Sequence, residues 1–300
     1  MTAPTTPALS PKTQVPAQIH LGTLVRQATV YTLLALLALA SVGPFLWLVS
    51  TALKSPDANI FAFPPELVPT RPTLQNFAAV WQAVPLGLYF ANSVLVTGSA
   101  VIFNLIFSTL AAYPLARFEF AGKNQVFMAI LATMMIPFQV IMIPLYMIML
   151  HLNLVDSASA IGGYLGLIIP FVVSGFGIFF VRQAMVQIPR DLEQSAVLDG
   201  CNSWQVLTQI YVPLIKPTLA TLAVFTFIAN WGEFLWPSIV LSKQTMYTLP
   251  VGLVHLQGAF SANWRLIAAG TVLAALPVIV FFFVLQRYFM SGTLSGSLKG

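Results

Sequence analysis

Apolar residues in this 300-residue chain gather into six long runs, at about residues 28–48, 86–112, 126–149, 161–181, 218–241 and 266–285. A helix needs about 20 apolar residues to cross the hydrocarbon core of a bilayer, and each run meets that length. The pattern predicts an all-α polytopic membrane protein with six transmembrane helices. Residues 1–27, rich in Pro, Thr, Ala and Gln, read as a loosely held N-terminal tail. No cleavable signal is expected, because the first apolar run starts late and is long enough to span. Residues 286–300 read as a short C-terminal tail.

Helix breakers punctuate the runs. Gly43 and Pro44 fall in the first, Pro137 and Pro144 in the third, and Gly162, Gly163, Gly166 and Pro170 in the fourth. Neighbouring helices can satisfy the backbone groups that such residues free, and small residues let helices approach closely. Between the first two runs, residues 49–85 carry six prolines, too many for a long helix. That loop is expected to pack on neighbouring loops outside the membrane.

One polar island departs from this plan: residues 188–217, IPRDLEQSAVLDGCNSWQVLTQIYVPLIKP. Pro189 suits the start of a helix, with Asp191 and Glu193 near its positive end. Gly200 supplies a position free to take φ > 0 and end that helix. Asn202 and Gln205 form a capping-box pair for a second helix. Trp204, Leu207, Tyr211 and Leu214 recur at spacings of 3, 4 and 3 and predict its buried face. Pro213 and Pro217 turn the chain toward the fifth run. The expected product is a helix–turn–helix whose first helix offers Glu193, Gln194 and Asp199 outward. The island is either a docking element for a partner or a plain structured connector.

Composition and charge narrow the classes. The chain is 58% hydrophobic and only 7% charged, against about 25% charged in soluble domains. Mean hydropathy is +0.87. The net charge of +5 does not imply nucleic acid as a partner, because the basic residues are scattered and form no stripe. They follow the positive-inside rule instead. Nine of the 13 Lys and Arg residues lie in the tails, the 117–123 turn and the 182–217 segment; Lys54, Arg71, Lys243 and Arg265 lie opposite. The richer side is cytoplasmic. Both termini and the island are therefore predicted inside. One cysteine, Cys201, excludes an internal disulfide framework, and His20, His151 and His255 are too far apart in sequence for a local metal motif.

The island's residues carry a family resemblance. It resembles the EAA loop of ABC importer membrane subunits, whose pattern is EAA, three residues, Gly, nine residues, Ile-x-Leu-Pro. Gln194-Ser195-Ala196, Gly200 and Ile210-Tyr211-Val212-Pro213 keep that spacing throughout. Gln194, Ser195 and Val212 replace the family's Glu, Ala and Leu. Further matches include Asn92-Ser93, Ala112 to Phe118, Met135-Ile136-Pro137, Asn230 to Pro237 and Tyr247 to Pro250. They point to the carbohydrate branch, similar to the smaller membrane subunit of maltose transporters.

The resemblance implies a type I ABC importer architecture in the cytoplasmic membrane of a bacterium or archaeon. It implies a second homologous permease subunit, two ATPase subunits holding ATP and Mg, and an extracytoplasmic sugar-binding protein. This chain has no P-loop and no cofactor of its own is expected. The ATPase-coupling residues implied are Arg190, Glu193, Gln194, Ser195, Ala196, Asp199, Gly200, Ile210 and Pro213. With Gln194 in the Glu position, the contact is either a neutral hydrogen bond or one moved to Glu193. The outer loop 242–264, with Tyr247 and Trp264, is implied to meet the binding protein.

Glu233 is the only acidic residue inside a predicted span. An ionisable group at that depth is by default functional, and Asn230 and Trp231 beside it supply hydrogen bonds and stacking suited to sugars. These three are the substrate-pathway candidates. The alternative for Glu233 is a helix cap. Asn92, Asn104 and Gln139 are expected to bond between helices. A membrane enzyme is disfavoured, since no HExxH, paired intramembrane aspartates or nucleophile–His arrangement occurs. Alternatives that remain are import of a glycerol phosphate or polyol glycoside, and a channel or assembly scaffold working without ATP.

Overall fold

A computed structural model describes residues 21–64, 66–155, 160–256 and 263–294, with side chains at 21–24, 160 and 287–294 left undescribed. Among the described residues there is no strand, only one isolated bridge between Lys54 and Pro72. The expected tail at residues 1–20, the tip of the outer loop at 257–262 and the chain end at 295–300 lie outside the described residues.

The chain divides into two compact units, Met1–Trp47 and Leu48–Gly300. In the first, helix α1 (Leu21–Leu53, which continues across the division) exposes its side chains throughout residues 25–42. The second unit contains the remaining helices: α2 (Gln75–Ala83), α3 (Leu86–Arg117), α4 (Lys123–Thr133), α5 (Phe138–His151), α6 (Ala160–Ile168) and α7 (Gly175–Val186). They are followed by α8 (Arg190–Leu198), α9 (Ser203–Gln205), α10 (Val212–Leu214), α11 (Lys216–Trp231), α12 (Leu235–Val240), α13 (Leu249–Val254) and α14 (Trp264–Leu294).

Among the described residues, three helices are individually long and apolar enough to cross a bilayer: α1, α3 and α14. Three further candidates are bent pairs, so the count reaches six when each pair is one span. The third expected run is not one rod. It breaks between Thr133 and Phe138, and α4 and α5 meet at 99°. Pro137 is the physical reason: its ring disfavours helical backbone at Ile136, and it has no N–H to continue the ladder. The fourth run bends by 50° after Phe171, and Ser174 restarts it by capping α7 through the Gly177 N–H at 2.9 Å. The fifth run breaks at Gly232–Phe234 before α12. At the chain end α14 runs to Leu294, so much of the expected C-terminal tail continues the helix.

Helix α3 is the axis of the second unit. Three apolar clusters meet it in turn: one at its start through Leu86 and Tyr89, one through Val96, and one at its end through Ala112 to Ala116. Its buried face carries Ser93, Thr97, Asn104 and Ser108 at near-helical spacing. That small polar stripe lets α7 approach closely. A Cβ on Gly177 would meet Ser108 Oγ at 2.4 Å and Asn104 Oδ1 at 2.9 Å, so a larger residue there would displace those side chains.

Candidate functional site

The island folds as its local signals require. Helix α8 ends in a Schellman motif at Gly200, with φ at +88°. The Cys201 N–H donates to Ala196 O at 2.9 Å and the Gly200 N–H to Val197 O at 3.0 Å. Asn202 Oδ1 accepts from the Gln205 N–H at 2.9 Å and Gln205 Oε1 from the Asn202 N–H at 2.8 Å, completing the capping box. Pro189 occupies the N-cap, one position before the first helical residue.

The second helix differs from expectation. Val206–Tyr211 is a π-helix, and its wider turn changes the inward set to Val206, Leu207, Tyr211 and Ile215. Trp204 and Leu214, expected inward by α-helical spacing, are exposed. Pro213 follows two residues after the π turn; in a regular α-helix its ring would strike the Gln209 carbonyl.

The coupling candidates separate into two groups. Gln194, Ser195, Asp199 and Pro213 are exposed, as is Arg190, whose Nη2 lies 3.4 Å from Glu119 Oε1. The Glu119 carboxyl is held below the usual carboxylate range, first by the Lys123 hydrogen bond and then by Arg190. Ala196 is buried in the inner cluster and Ile210 packs against it. Glu193 departs from the expected outward placement and is part-buried. It turns inward, where Tyr211 Oη donates to its Oε2 at 2.7 Å and Arg117 Nε lies 3.9 Å away. Burial first, and then this hydrogen bond, push the Tyr211 phenol far above its ordinary value, so it stays a donor. Around these residues lies a groove of about 530 Å³ lined by Arg117, Arg190, Glu193, Gln194, Val197 and Leu198. Leu198, at the turn, is 88% exposed.

In the sequence Arg117 stands as a positive-inside charge and as part of the family-like segment Ala112 to Phe118, with no role of its own. Its side chain is 2% exposed. Its Nη2 donates to Met185 O and, at 2.7 Å, to Ile188 O, and its guanidinium lies 4.6 Å from the Tyr211 ring centre. Arg182 crosses the other way: its Nε donates to Leu115 O at 3.0 Å and its guanidinium covers Phe127 at 3.9 Å. A signal was present, since Arg117 closes a long apolar helix whose partners are apolar.

The three pathway candidates are not brought together. Trp231 is buried, stacks on Phe227 and donates its indole N–H to Ala274 O at 2.9 Å. Glu233 sits in the break before α12, where its Oε1 accepts from the Trp236 N–H at 3.0 Å, as a cap would. Asn230, whose Nδ2 donates to Thr226 O at 2.9 Å, borders a cavity of about 430 Å³ with Asn104, Phe171, Ser174 and Phe176. Asn92 and Asn104 bond between elements, to Thr245 O and Tyr247 O and to Phe171 O respectively. Gln139 is exposed on α5. Among the described residues no His, Cys, Asp and Glu cluster suits a metal ion.

Comparison with known proteins matches residues 104–293 to the family described as binding-protein-dependent transport system inner membrane component. The chain is 34% identical over 271 residues to the arabinooligosaccharides transport system permease protein AraQ of Halalkalibacterium halodurans, covering 89% of this chain and 94% of that protein. It is 33% identical over 269 residues to the lactose transport system permease protein LacG of Rhizobium radiobacter, covering 90% and 95%. A solved bacterial ABC transporter involved in import of the acidic polysaccharide alginate contains a chain with the same fold. The TM-score is 0.79 at 24% identity, over 95% of this chain and 100% of that one.

Proposed function

Because the chain belongs to the family of binding-protein-dependent transport system inner membrane components, we propose that it forms half of the pore of an ATP-driven sugar importer. It pairs with a second homologous permease subunit, receives sugar from an extracytoplasmic binding protein, and seats one of two ATPase subunits on the island. ATP and Mg belong to the ATPase; this chain performs no hydrolysis. Both termini and the island face the cytoplasm. The relatives named for arabinooligosaccharide and lactose transport support a sugar as cargo.

The observation that carries the reading is the island itself. Its motif spacing is intact, its two helices are independently capped, and it presents Gln194, Val197 and Leu198 on an exposed rim. Apolar groups exposed on a rim of polar ones mark a protein-binding surface. With Glu193 turned inward, the rim contact falls to neutral Gln194 and the apolar residues beside it. On the sugar path, Asn230 Oδ1 and the Phe176 ring supply hydroxyl and stacking contacts, whereas Trp231 packs the core. The test is uptake by the assembled transporter in vesicles, supplied with binding protein and oligosaccharides. Accumulation should require ATP hydrolysis, and Asn230→Ala should raise the half-saturating sugar concentration. Flux that persists without ATP would replace the importer by a channel.

A further inference from the structure

The most heavily tied side chain on the inner side of the molecule is Arg117, and nothing in the family motif uses it. A guanidinium is costly to bury unless its donors and its charge are both answered. Three different elements meet Arg117, while its buried Nε, 3.9 Å from Glu193, makes no hydrogen bond. Two carbonyls at the end of α7, Met185 and Ile188, accept from its Nη2. Both carbonyls lie at the C-terminal, negative end of the α7 dipole, and the Met185 carbonyl also accepts from the Ile188 N–H at 3.1 Å. Helix α8 supplies Glu193, and the π-helix supplies the face of Tyr211, whose hydroxyl holds the same Glu193 oxygen. Arg182 returns the bond from α7 to the α3 backbone at Leu115.

We propose that Arg117 is a positioning residue for energy coupling: it makes the last turn of α3 and both helices of the island move as one body. This rests on the reading of the island as the ATPase seat. A push on α8 then reaches α3, whose polar stripe borders α7 and the cavity at Asn104. Glu193 belongs to this joint and not to the ATPase contact. Lysine does not replace the arginine, because Nη2 alone meets both carbonyls while the flat guanidinium also lies against the Tyr211 ring and turns Nε toward Glu193, and a compact ammonium cannot hold all three places at once.

The test uses the complete transporter in vesicles. Arg117→Lys should still assemble with the ATPase yet lower sugar moved per ATP hydrolysed by about tenfold, a size typical of residues that couple sites without touching ligand. Wild-type sugar per ATP in that variant would overturn the inference. Should the variant fail to assemble, the unsubstituted joint decides. Spin labels at Phe118→Cys and Leu192→Cys, in a Cys201→Ser background, should keep their separation within about 2 Å when ATP binds, the shift expected of rigid-body motion. A larger change would overturn the rigid joint. Failure of the unsubstituted chain to retain any ATPase would instead remove the docking reading beneath it.

Discussion

The two ends of α3 are held in opposite ways. At the N-terminal end, Asn92 Nδ2 donates to Thr245 O at 3.0 Å and Tyr247 O at 2.9 Å, while its Oδ1 accepts from Tyr164 Oη at 2.7 Å. Ser93 Oγ accepts from the Leu249 N–H at 2.7 Å. All these groups are neutral, and three of the four bonds fix the backbone of one segment, 245–249. At the C-terminal end the Arg117 cation touches three elements, with Arg182 bonded to Leu115 O beside it. A neutral seat spreads its strength over several bonds of about 1 kcal/mol each, whereas a buried ion commits a joint to one side chain. The N-terminal seat can lose one bond and keep its register. At the C-terminal end the Arg182 bond to Leu115 O survives the loss of Arg117, but the tie from α3 to Glu193 on α8 does not.

Four substitutions sharpen that contrast. The largest effect is expected from Arg117→Ala, which leaves Glu193 with the Tyr211 hydrogen bond alone and the Ile188 carbonyl without the guanidinium, and costs about 3 kcal/mol. Thermal unfolding in detergent should fall sharply and uptake should be lost. Asn92→Ala should cost about 1–3 kcal/mol. Hydrogen exchange should rise across residues 245–254 while the island amides stay protected; equal exchange at both ends would erase the distinction. Gly200→Val forces a branched side chain to φ near +88°, at about 1–2 kcal/mol. It should lower sugar moved per ATP with expression unchanged. Glu233→Ala, which removes one cap bond, should cost about 1 kcal/mol and leave the half-saturating sugar concentration near its original value. A large rise in that concentration would return Glu233 to the sugar path.

What could be read from sequence was what local chemistry decides. Gly200 and the Asn202–Gln205 pair act within a few residues, and both appear as expected. The apolar runs likewise located the helices. Where the reading failed, a distant partner or a change of helical phase was responsible. Trp204 and Leu214 were assigned inward by a 3.6-residue period that the π turn interrupts. Glu193 has the spacing of an outward residue, and only Tyr211 and Arg117, 18 and 76 positions away by their numbering, draw it in. Pro137 was visible as a breaker, yet the 99° between α4 and α5 depends on how the two pieces pack. Trp231 stands next to Asn230 in sequence but one helical step apart, so its indole faces α14 and not the cavity.

The central claim is that the rim of the island seats an ATPase. Photocrosslinking from an unnatural residue at Leu198, in membranes containing the working transporter, tests it most directly. The account predicts a covalent product with a P-loop ATPase, identified by mass spectrometry, that is lost when the label sits instead at Leu37, exposed on the apolar helix α1. Transport-competent chain that gives no ATPase product from Leu198, nor from neighbouring Gln194, would contradict it.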